Sequence, residues 1–174
     1  LSENINVKKR NGRGTEPLDI EKIHQMVAYA CEGLSGVSES QVEIQSGLQF
    51  YDGVTTEEIQ QILINSANNL ITLDNPNYQY VAARLLLFSL RKQLFHRLWE
   101  HPKLSTHIQN CINKKVYDED FLNHYTAADI DRLDSMIDHE RDYLFTYAGL
   151  RQVLDKYLVQ DRSNGQIFET PQFM

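Results

Sequence analysis

The stretch Val7-Lys8-Lys9-Arg10-Asn11-Gly12-Arg13-Gly14 opens the most informative part of this sequence. Modest alternation predicts a strand over residues 5–10. The Gly-rich end of the stretch predicts a turn, because Asn and Gly tolerate positive φ. Residues 15–18 predict a return strand, so the region is expected to form a small hairpin at an edge. Its cations stand out in a chain of net charge −7 and indicate a local site for a small polyanion.

Four helices are predicted downstream of the hairpin, each from a start signal ahead of an apolar run. The signals are Asp19 ahead of a helix over 20–34, Ser38 with Gln41, Thr55 with Glu58, and Asp74-Asn75-Pro76 with Pro76 at the first helical position. The second helix has an apolar side at Val42, Ile44 and Leu48. The fourth is apolar around most of its circumference, which is typical of a helix at the centre of a bundle.

His101-Pro102 is a plausible boundary, after which the predicted segments become shorter. Amphipathic patterns cover 104–114, 118–124, 127–138 and a longer helix over about 143–158. A turn at residues 161–165 separates two short apolar runs. The apolar end of the sequence indicates a chain that normally continues.

Composition excludes several classes of function. A net charge of −7 argues against a broad nucleic-acid-binding face, which depends on many Lys and Arg side chains. No apolar run approaches the ~20 residues that span a bilayer, and no signal peptide is recognisable. Cys31 and Cys111 lie far apart without a CxxC motif, so we expect two buried apolar side chains in a cytoplasmic protein.

Lys22 is the sharpest physical indication of a ligand. It falls in the first turn of a predicted helix, where the helix dipole disfavours a cation unless an anion is also bound there. Lys9 and Arg10 can converge on the same place if the hairpin folds over the helix start. The alternative is a solvated Lys22 paired with Asp19 or Glu21, and spacing alone leaves it open.

Other candidate residues have structural alternatives of their own. Thr56 follows the predicted cap Thr55, so its hydroxyl is not needed for capping and could donate to a phosphate oxygen. Lys92 lies near a helix end, where a cation also complements the dipole. Glu16 and Asp19 could accept from an amine or a ribose hydroxyl, or could serve only in a turn and a cap.

No catalytic or metal-binding motif is recognisable. The six His residues are scattered without HExxH or HxxxH spacing, and neither a P-loop nor GxGxxG is present. The charge run 138–142 is interpreted as a solvated connection with internal ion pairs. The sequence therefore favours a nucleotide sensor over a catalyst.

Taken together, these residues resemble an ATP cone, specifically the one opening the large (α) subunit of class Ia ribonucleoside-diphosphate reductases. The stretches that carry the resemblance span most of the chain. They are Val7–Gly12, Leu18–Ile23, Asp52–Ile59, Tyr78–Leu85, Asp138–Asp142, Phe145–Gly149, Lys156–Gln160 and Gly165–Glu169.

The resemblance implies a mainly α fold. Residues 1–97 would form an ATP cone, a four-helix bundle capped by a small β-sheet. Residues 98–174 would be the helical, incomplete start of the catalytic domain, leading into an α/β barrel that is absent from this sequence. The effectors would be ATP as activator and dATP as inhibitor, with Mg²⁺ accompanying the triphosphate and no metal held by the chain itself.

The resemblance also implies the site residues. The phosphate-contacting positions are Lys9, Arg10, Lys22, Thr56 and Lys92, and the base- and ribose-facing positions are Glu16 and Asp19, the latter often Asn in the family. A phosphate-contacting His can occupy the position held here by Gln60, whose neutral amide cannot supply an imidazolium charge. The turn between Gly12 and Thr15 also carries one extra residue.

As part of such a reductase, the chain would contribute to an oxidoreductase that converts ribonucleoside diphosphates to deoxyribonucleoside diphosphates for DNA synthesis. It lacks the family's active-site cysteines, so it is not expected to be catalytic alone. The implied partners are the remainder of the large subunit, the radical-generating small (β) subunit and further large subunits, with neither nucleic acid nor membrane. One alternative is a nucleotide-independent helical module for subunit assembly; another, a cone-bearing repressor, lacks the expected zinc-ribbon cysteines.

Overall fold

The computed structural model describes residues 5–9 and 14–174. The fold is mainly helical with small sheets, as the sequence predicts. The chain divides into two compact units. The first runs up to Ser89 and includes Phe145–Ala148, and the second comprises Leu90–Leu144 and Gly149–Met174.

The sheet of the first unit has three short strands in the order β2-β1-β3. They are β1 (Asn6–Lys8), β2 (Thr15–Pro17) and β3 (Val54–Thr55). The antiparallel pairing of β1 with β2 confirms the predicted hairpin. The parallel pairing of β1 with β3 was not predicted, because two residues carry no strand pattern of their own and β3 forms only against β1.

The rest of the described secondary structure before Leu90 is helical, and the last of these helices continues into the second unit. They are α1 (Ile20–Cys31), α2 (Glu39–Gly47), α3 (Thr56–Asn69) and α4 (Tyr78–Phe95). The caps at Asp19 and Ser38 and the capping box of Thr55 with Glu58 are confirmed. Pro76 lies two residues ahead of α4, not at its first helical position, and α1 ends before Gly33, whose φ is +71°.

The core of the first unit centres on α4, as its apolar circumference predicts. Val81, Ala82, Leu85 and Leu87 are all 0% exposed. The prediction for α2 was wrong in part: Val42 is fully buried, whereas Ile44 and Leu48 are 66% and 76% exposed. Two residues along a helix correspond to a rotation of about 200°, so Ile44 faces away from the core that holds Val42.

The second unit consists of short helices followed by a hairpin. Its elements are α5 (Leu104–Asn113), α6 (Phe121–His124), α7 (Ala127–Asp134), a 3₁₀ helix (His139–Leu144), α8 (Tyr147–Lys156), β4 (Gln160–Asp161), β5 (Gln166–Ile167) and a 3₁₀ turn (Pro171–Phe173). The antiparallel β4–β5 pair confirms the turn predicted at 161–165. The helix predicted from residue 143 begins at Tyr147, because the preceding residues adopt 3₁₀ geometry.

The interpretation of the charge run 138–142 was wrong in part: Asp138, Glu140 and Arg141 are exposed, but Asp142 is not. Asp142 is 1% exposed and accepts a hydrogen bond from Gln172 at 3.0 Å. Arg91, also 1% exposed, donates to Tyr143 Oη at 2.9 Å and to the His139 carbonyl at 3.0 Å. Its Nη2 lies 3.5 Å from Asp142 Oδ2. The run therefore combines exposed charges with one member of a buried ion pair.

Aromatic and histidine rings fill the space around this ion pair. His101 stacks on His139 with ring centroids 3.8 Å apart, and His107 stacks on Phe173 at 4.4 Å. Phe95 meets both His101 and Phe173 edge-on. Burial lowers the pKa of His101 and of His107 to about 4, so these rings are neutral at physiological pH.

Both cysteines are buried, Cys31 at 6% and Cys111 at 3% exposure, which confirms their predicted role as apolar fillers. Burial raises the pKa of each thiol to about 11, so neither is a reactive thiolate. Across residues 5–9 and 14–174, no helix is both long and apolar enough to cross a membrane.

Candidate functional site

The strand register of the first unit brings predicted site residues together. Lys8 of β1 pairs with Thr55 of β3 in parallel. Thr55 is the N-cap of α3, so the end of β1, one residue before Lys9, lies beside the start of this helix. The backbone N–H groups at this helix start carry a partial positive charge and suit an anion.

Lys9 is paired across the hairpin. Val7 and Glu16 are partners in the β1–β2 register, and Lys9 Nζ lies 2.7 Å from Glu16 Oε2. The Lys9 ammonium holds the pKa of Glu16 below its ordinary value. Both side chains remain more than 40% exposed, so this is a surface ion pair of the kind worth only about 0–1 kcal/mol.

Lys22 is paired with Asp19, which the sequence analysis gave as the alternative to ligand binding. Its backbone N–H donates to Asp19 Oδ1 at 3.2 Å, and its Nζ lies 3.1 Å from Asp19 Oδ2. The hydrogen bond from that backbone N–H is the main cause of the lowered pKa of Asp19. The Lys22 charge also lowers the pKa of Glu16, whose ion-pair partner is Lys9.

Thr55 caps α3 and the Thr56 hydroxyl does not, as predicted. Thr55 Oγ1 accepts from the Glu58 N–H at 3.2 Å, while the Thr55 N–H donates to Glu58 Oε2 at 2.8 Å. The Thr56 hydroxyl takes no part in this box and donates to Glu57 Oε2 at 3.1 Å. Its donor is thus directed to an exposed carboxylate at the start of α3.

Gln60 does not lie on the surface beside the lysines. It is 5% exposed, and its Nε2 lies 3.1 Å from Met26 Sδ of α1. This contact shows that α1 and α3 are adjacent one turn after Lys22 and Thr56. Met26 carried no functional signal in the sequence, because an apolar residue at helical spacing reads as ordinary core.

The roles of two further predicted site residues stay predictions. Arg10 lies outside the described residues. Lys92 lies half-buried in the last turn of α4, within the second unit, and its part in the site stays a prediction.

The gathered residues form what we call the paired-lysine site: Lys9, Glu16, Asp19, Lys22 and Thr56. Each ammonium group is held by an exposed carboxylate, and the starts of α1 and α3 contribute backbone donors. Such a site can exchange its carboxylates for the oxygens of a phosphate, which makes stronger, charge-assisted hydrogen bonds. In the described part of the chain, no group of three or more His, Cys, Asp and Glu side chains is arranged to hold a metal ion.

Helices capped by a small sheet, with lysines at two helix starts, define an effector-binding regulatory domain. Residues 5–93 match the ATP cone domain family, and the chain belongs to that family. Membership implies that it binds a nucleotide effector.

Relatives extend the similarity over the whole chain. It is 43% identical over 174 residues to ribonucleoside-diphosphate reductase 1 subunit alpha of Escherichia coli (strain K12). It is 41% identical over 174 residues to the alpha subunit of Haemophilus influenzae, and 43% identical over 171 residues to that of Enterobacteria phage T4. The alignments cover 97–100% of this chain but only 22–23% of those subunits. The similarity is therefore to one region of a much longer protein.

Proposed function

We propose that the paired-lysine site binds the triphosphate of ATP or dATP, and that this binding regulates a ribonucleoside-diphosphate reductase. The parallel register of β1 and β3 is the observation that carries the proposal, because it brings the end of β1, which directly precedes Lys9, beside the cap of α3. Lys22, at the start of α1, acts on the same Glu16 carboxylate as Lys9 does. Two cations beside two helix starts match a ligand with several negative charges.

The residues then take distinct roles. Lys9, Lys22 and Thr56 contact phosphate oxygens, and Arg10 and Lys92 are proposed to add to them. Glu16 and Asp19, released from the lysines, accept hydrogen bonds from the base amine and the ribose. Mg²⁺ is proposed to arrive with the triphosphate, coordinated by phosphate oxygens, since nucleotide-bound Mg²⁺ needs few protein ligands.

The proposed setting is the large subunit of the reductase, which reduces ribonucleoside diphosphates in the cytoplasm. Identity of 41–43% over nearly all of this chain, which matches 22–23% of each of three reductase alpha subunits, supports it. The remainder of that subunit, the small (β) subunit and further large subunits are the proposed partners.

Removing either lysine tests the site. Lys9→Ala or Lys22→Ala should weaken ATP and dATP binding by roughly 1.5–3 kcal/mol, the range for hydrogen bonds to charged groups. Isothermal titration calorimetry measures this directly. Lys8→Ala is the matched control: it removes the same charge one residue earlier, at the end of β1, where the side chain lies against Gly53.

Two results would contradict the proposal. One is an absence of nucleotide binding by a chain whose helical circular dichroism spectrum is intact. The other is normal affinity in both Lys9→Ala and Lys22→Ala, which would show that the nucleotide binds elsewhere.

A second candidate function, nucleotide-independent subunit assembly, is favoured by an apolar groove of about 400 Å³ in the first unit. The lining includes Ile20, Ile23, Ile44 and Leu48, with the His24–Glu43 pair beside them. Sedimentation of the complete large subunit with its small partner separates the two functions. Assembly that ignores ATP and dATP supports this candidate, whereas assembly that depends on them supports regulation.

A further inference from the structure

An Asn-Gly dipeptide lies in the exposed turn of the second unit's hairpin. Asp161 ends β4 and Gln166 begins β5, and Asn164 and Gly165 are both exposed between them. Gly165 has a φ of +74°, in the left-handed region that glycine adopts without strain. Apart from its chain neighbours, no described residue lies within 4 Å of the place where a Cβ would stand at Gly165. This part of the turn is therefore open to solvent.

An asparagine followed by a glycine can react with its own backbone. The Gly165 N–H loses its proton to a base from solvent, and the nitrogen then bonds to Asn164 Cγ to close a succinimide ring. Glycine has no Cβ to obstruct this attack. The Asn164 Cγ–Nδ2 bond breaks, and its nitrogen takes up one proton from water and leaves as ammonia. Water then opens the ring at either carbonyl, which gives aspartate or isoaspartate.

The folded turn holds both reacting groups by hydrogen bonds. The Gly165 N–H donates to the Asp161 carbonyl oxygen at 2.7 Å. Asn164 Nδ2 donates to Asp161 Oδ2 at 3.0 Å, and Asn164 Oδ1 accepts from the Gln166 N–H at 2.9 Å. The Gly165 nitrogen becomes a nucleophile only after it loses its proton, and a proton shared with a carbonyl oxygen is harder to remove. The ring therefore closes only when these hydrogen bonds open.

One of these hydrogen bonds by itself favours the reaction. The Gln166 N–H polarises the Asn164 carbonyl, as a donor in an oxyanion hole does. This activation has no effect while the attacking nitrogen keeps its proton, so the hydrogen bond of Gly165 decides the outcome. Its anchor is stable, because the hydrogen bond from the Ser163 hydroxyl lowers the pKa of Asp161, with Asn164 adding to the effect. Asp161 is thus an ionised acceptor at neutral pH.

We infer that Asn164 is a site of spontaneous deamidation whose reaction is gated by opening of the β4–β5 hairpin. The closed hairpin protects the carboxamide, and each opening exposes it to irreversible conversion. The inference is independent of nucleotide binding, because every group that it uses lies in the second unit.

The product should destabilise the hairpin in which it forms. A new carboxylate replaces the Asn164 donor opposite Asp161, so an attraction over 3.0 Å becomes a repulsion between like charges. Isoaspartate also adds a carbon to the backbone and shifts the register of the short β4–β5 pair. The hairpin leads into Glu169, which is 2% exposed and whose Oε1 accepts from the Val159 N–H at 2.8 Å. Modification of an exposed turn should therefore loosen buried hydrogen bonds of the second unit.

Peptide mapping by mass spectrometry measures the rate of deamidation of Asn164 in the full chain, folded in buffer and unfolded in urea at the same pH and temperature. The folded chain should react more slowly. Amide hydrogen exchange of the Gly165 N–H in the folded chain gives its protection factor. Both reactions require release of the same N–H, so the slowing of deamidation and the protection factor should be of the same size. Asn11–Gly12, the other Asn-Gly pair of the sequence, reports in urea that the conditions support the chemistry.

Asp161→Asn tests the hold on the carboxamide, because it leaves a single side-chain acceptor for the donors of Ser163 and Asn164. It should speed deamidation of Asn164 in the folded chain by about 2- to 12-fold, the factor for one hydrogen bond, and leave the rate in urea unchanged. Arg162→Ala is the matched control, because Arg162 is exposed in the same turn and is outside the three hydrogen bonds. Asn164→Gln should remove the signal, since it would have to close a larger ring.

Three results would overturn the inference. Deamidation of Asn164 that is as fast in the folded chain as in urea would overturn the gating, as would a Gly165 amide protected far more strongly than deamidation is slowed. An Asn164 that stays unmodified in urea while Asn11 reacts would overturn the site itself. None of these results bears on nucleotide binding, so the proposed function is tested separately.

Discussion

At the scale of the residue, Arg91 shows how burial changes the role of a charged side chain. In the sequence it is a cation near a helix end. In the second unit it is 1% exposed and bonded to groups that lie 48 to 52 positions away. Burial raises the pKa of its partner Asp142, because this environment disfavours the charged form of the carboxyl group.

Arg91→Met should destabilise the second unit by about 3–5 kcal/mol, because it leaves a buried carboxylate without its ion partner. Urea unfolding measures the loss. Trp99, the single tryptophan of the chain and part of the second unit, provides the fluorescence signal.

Arg97→Met is the control for that change. Arg97 is ion-paired with Glu100, but its side chain is 66% exposed, and exposed pairs contribute about 0–1 kcal/mol. Equal losses of stability in Arg91→Met and Arg97→Met would show that the buried ion pair contributes no more to stability than the exposed one.

At the scale of the element, the start of α3 serves stability and binding at once. Its capping box keeps the first turn helical, and that turn carries Thr56 and the backbone donors of the site. Thr55→Ala should cost about 0.5–2 kcal/mol of stability. It should also weaken triphosphate binding, because a frayed first turn no longer presents its N–H groups. Calorimetry and thermal unfolding of the same variant measure both effects.

Thr126→Ala provides the comparison for this prediction. Thr126 forms the same kind of capping box with Asp129 at the start of α7, in the second unit. A similar loss of stability with unchanged nucleotide affinity is expected. If Thr126→Ala weakened binding as much as Thr55→Ala, the effect would come from global stability and not from the start of α3.

At the scale of the whole molecule, acid should act chiefly through the second unit. The pKa of His107 is lowered from 6.5 to about 4 by burial, with Lys114 adding to the effect. The pKa values of His101 and His139 are lowered by burial and by Arg91, while Asp134 and Asp138 oppose the shift at His139. The unfolded chain then binds more protons than the folded one below pH 6.5, so stability falls as the pH falls.

The expected result is a urea midpoint, followed by Trp99 fluorescence, that declines steadily from about pH 6.5 to about pH 4.5. The lowered pKa of His107 alone reduces the free energy of unfolding by about 3 kcal/mol between pH 6.5 and about pH 4. His107→Phe should flatten the decline, whereas His124→Gln, at an exposed position, should not. A midpoint that is constant over this range would contradict the prediction.

Local rules predicted most elements of the first unit. Caps and turns depend on neighbours within a few positions, so Asp19, Ser38 and Thr55 could be read from the sequence. The same rules failed at β3, at Ile44 and at Asp142. Each of those depends on which other part of the chain lies opposite, and spacing along one helix or loop does not contain that information.

The sequence by itself determined the helical class, the helix starts and the presence of cations beside them, because these follow from local hydrogen bonding and apolar periodicity. Only the tertiary structure decided that Lys9 pairs with Glu16 and that the end of β1 lies beside the start of α3, since the parallel pairing of β1 with β3 joins residues 47 positions apart. It alone turned Gln60 inward against Met26 and buried Arg91 with Asp142. The physical reason is that burial and pairing are properties of the packed chain, where distant residues share one environment.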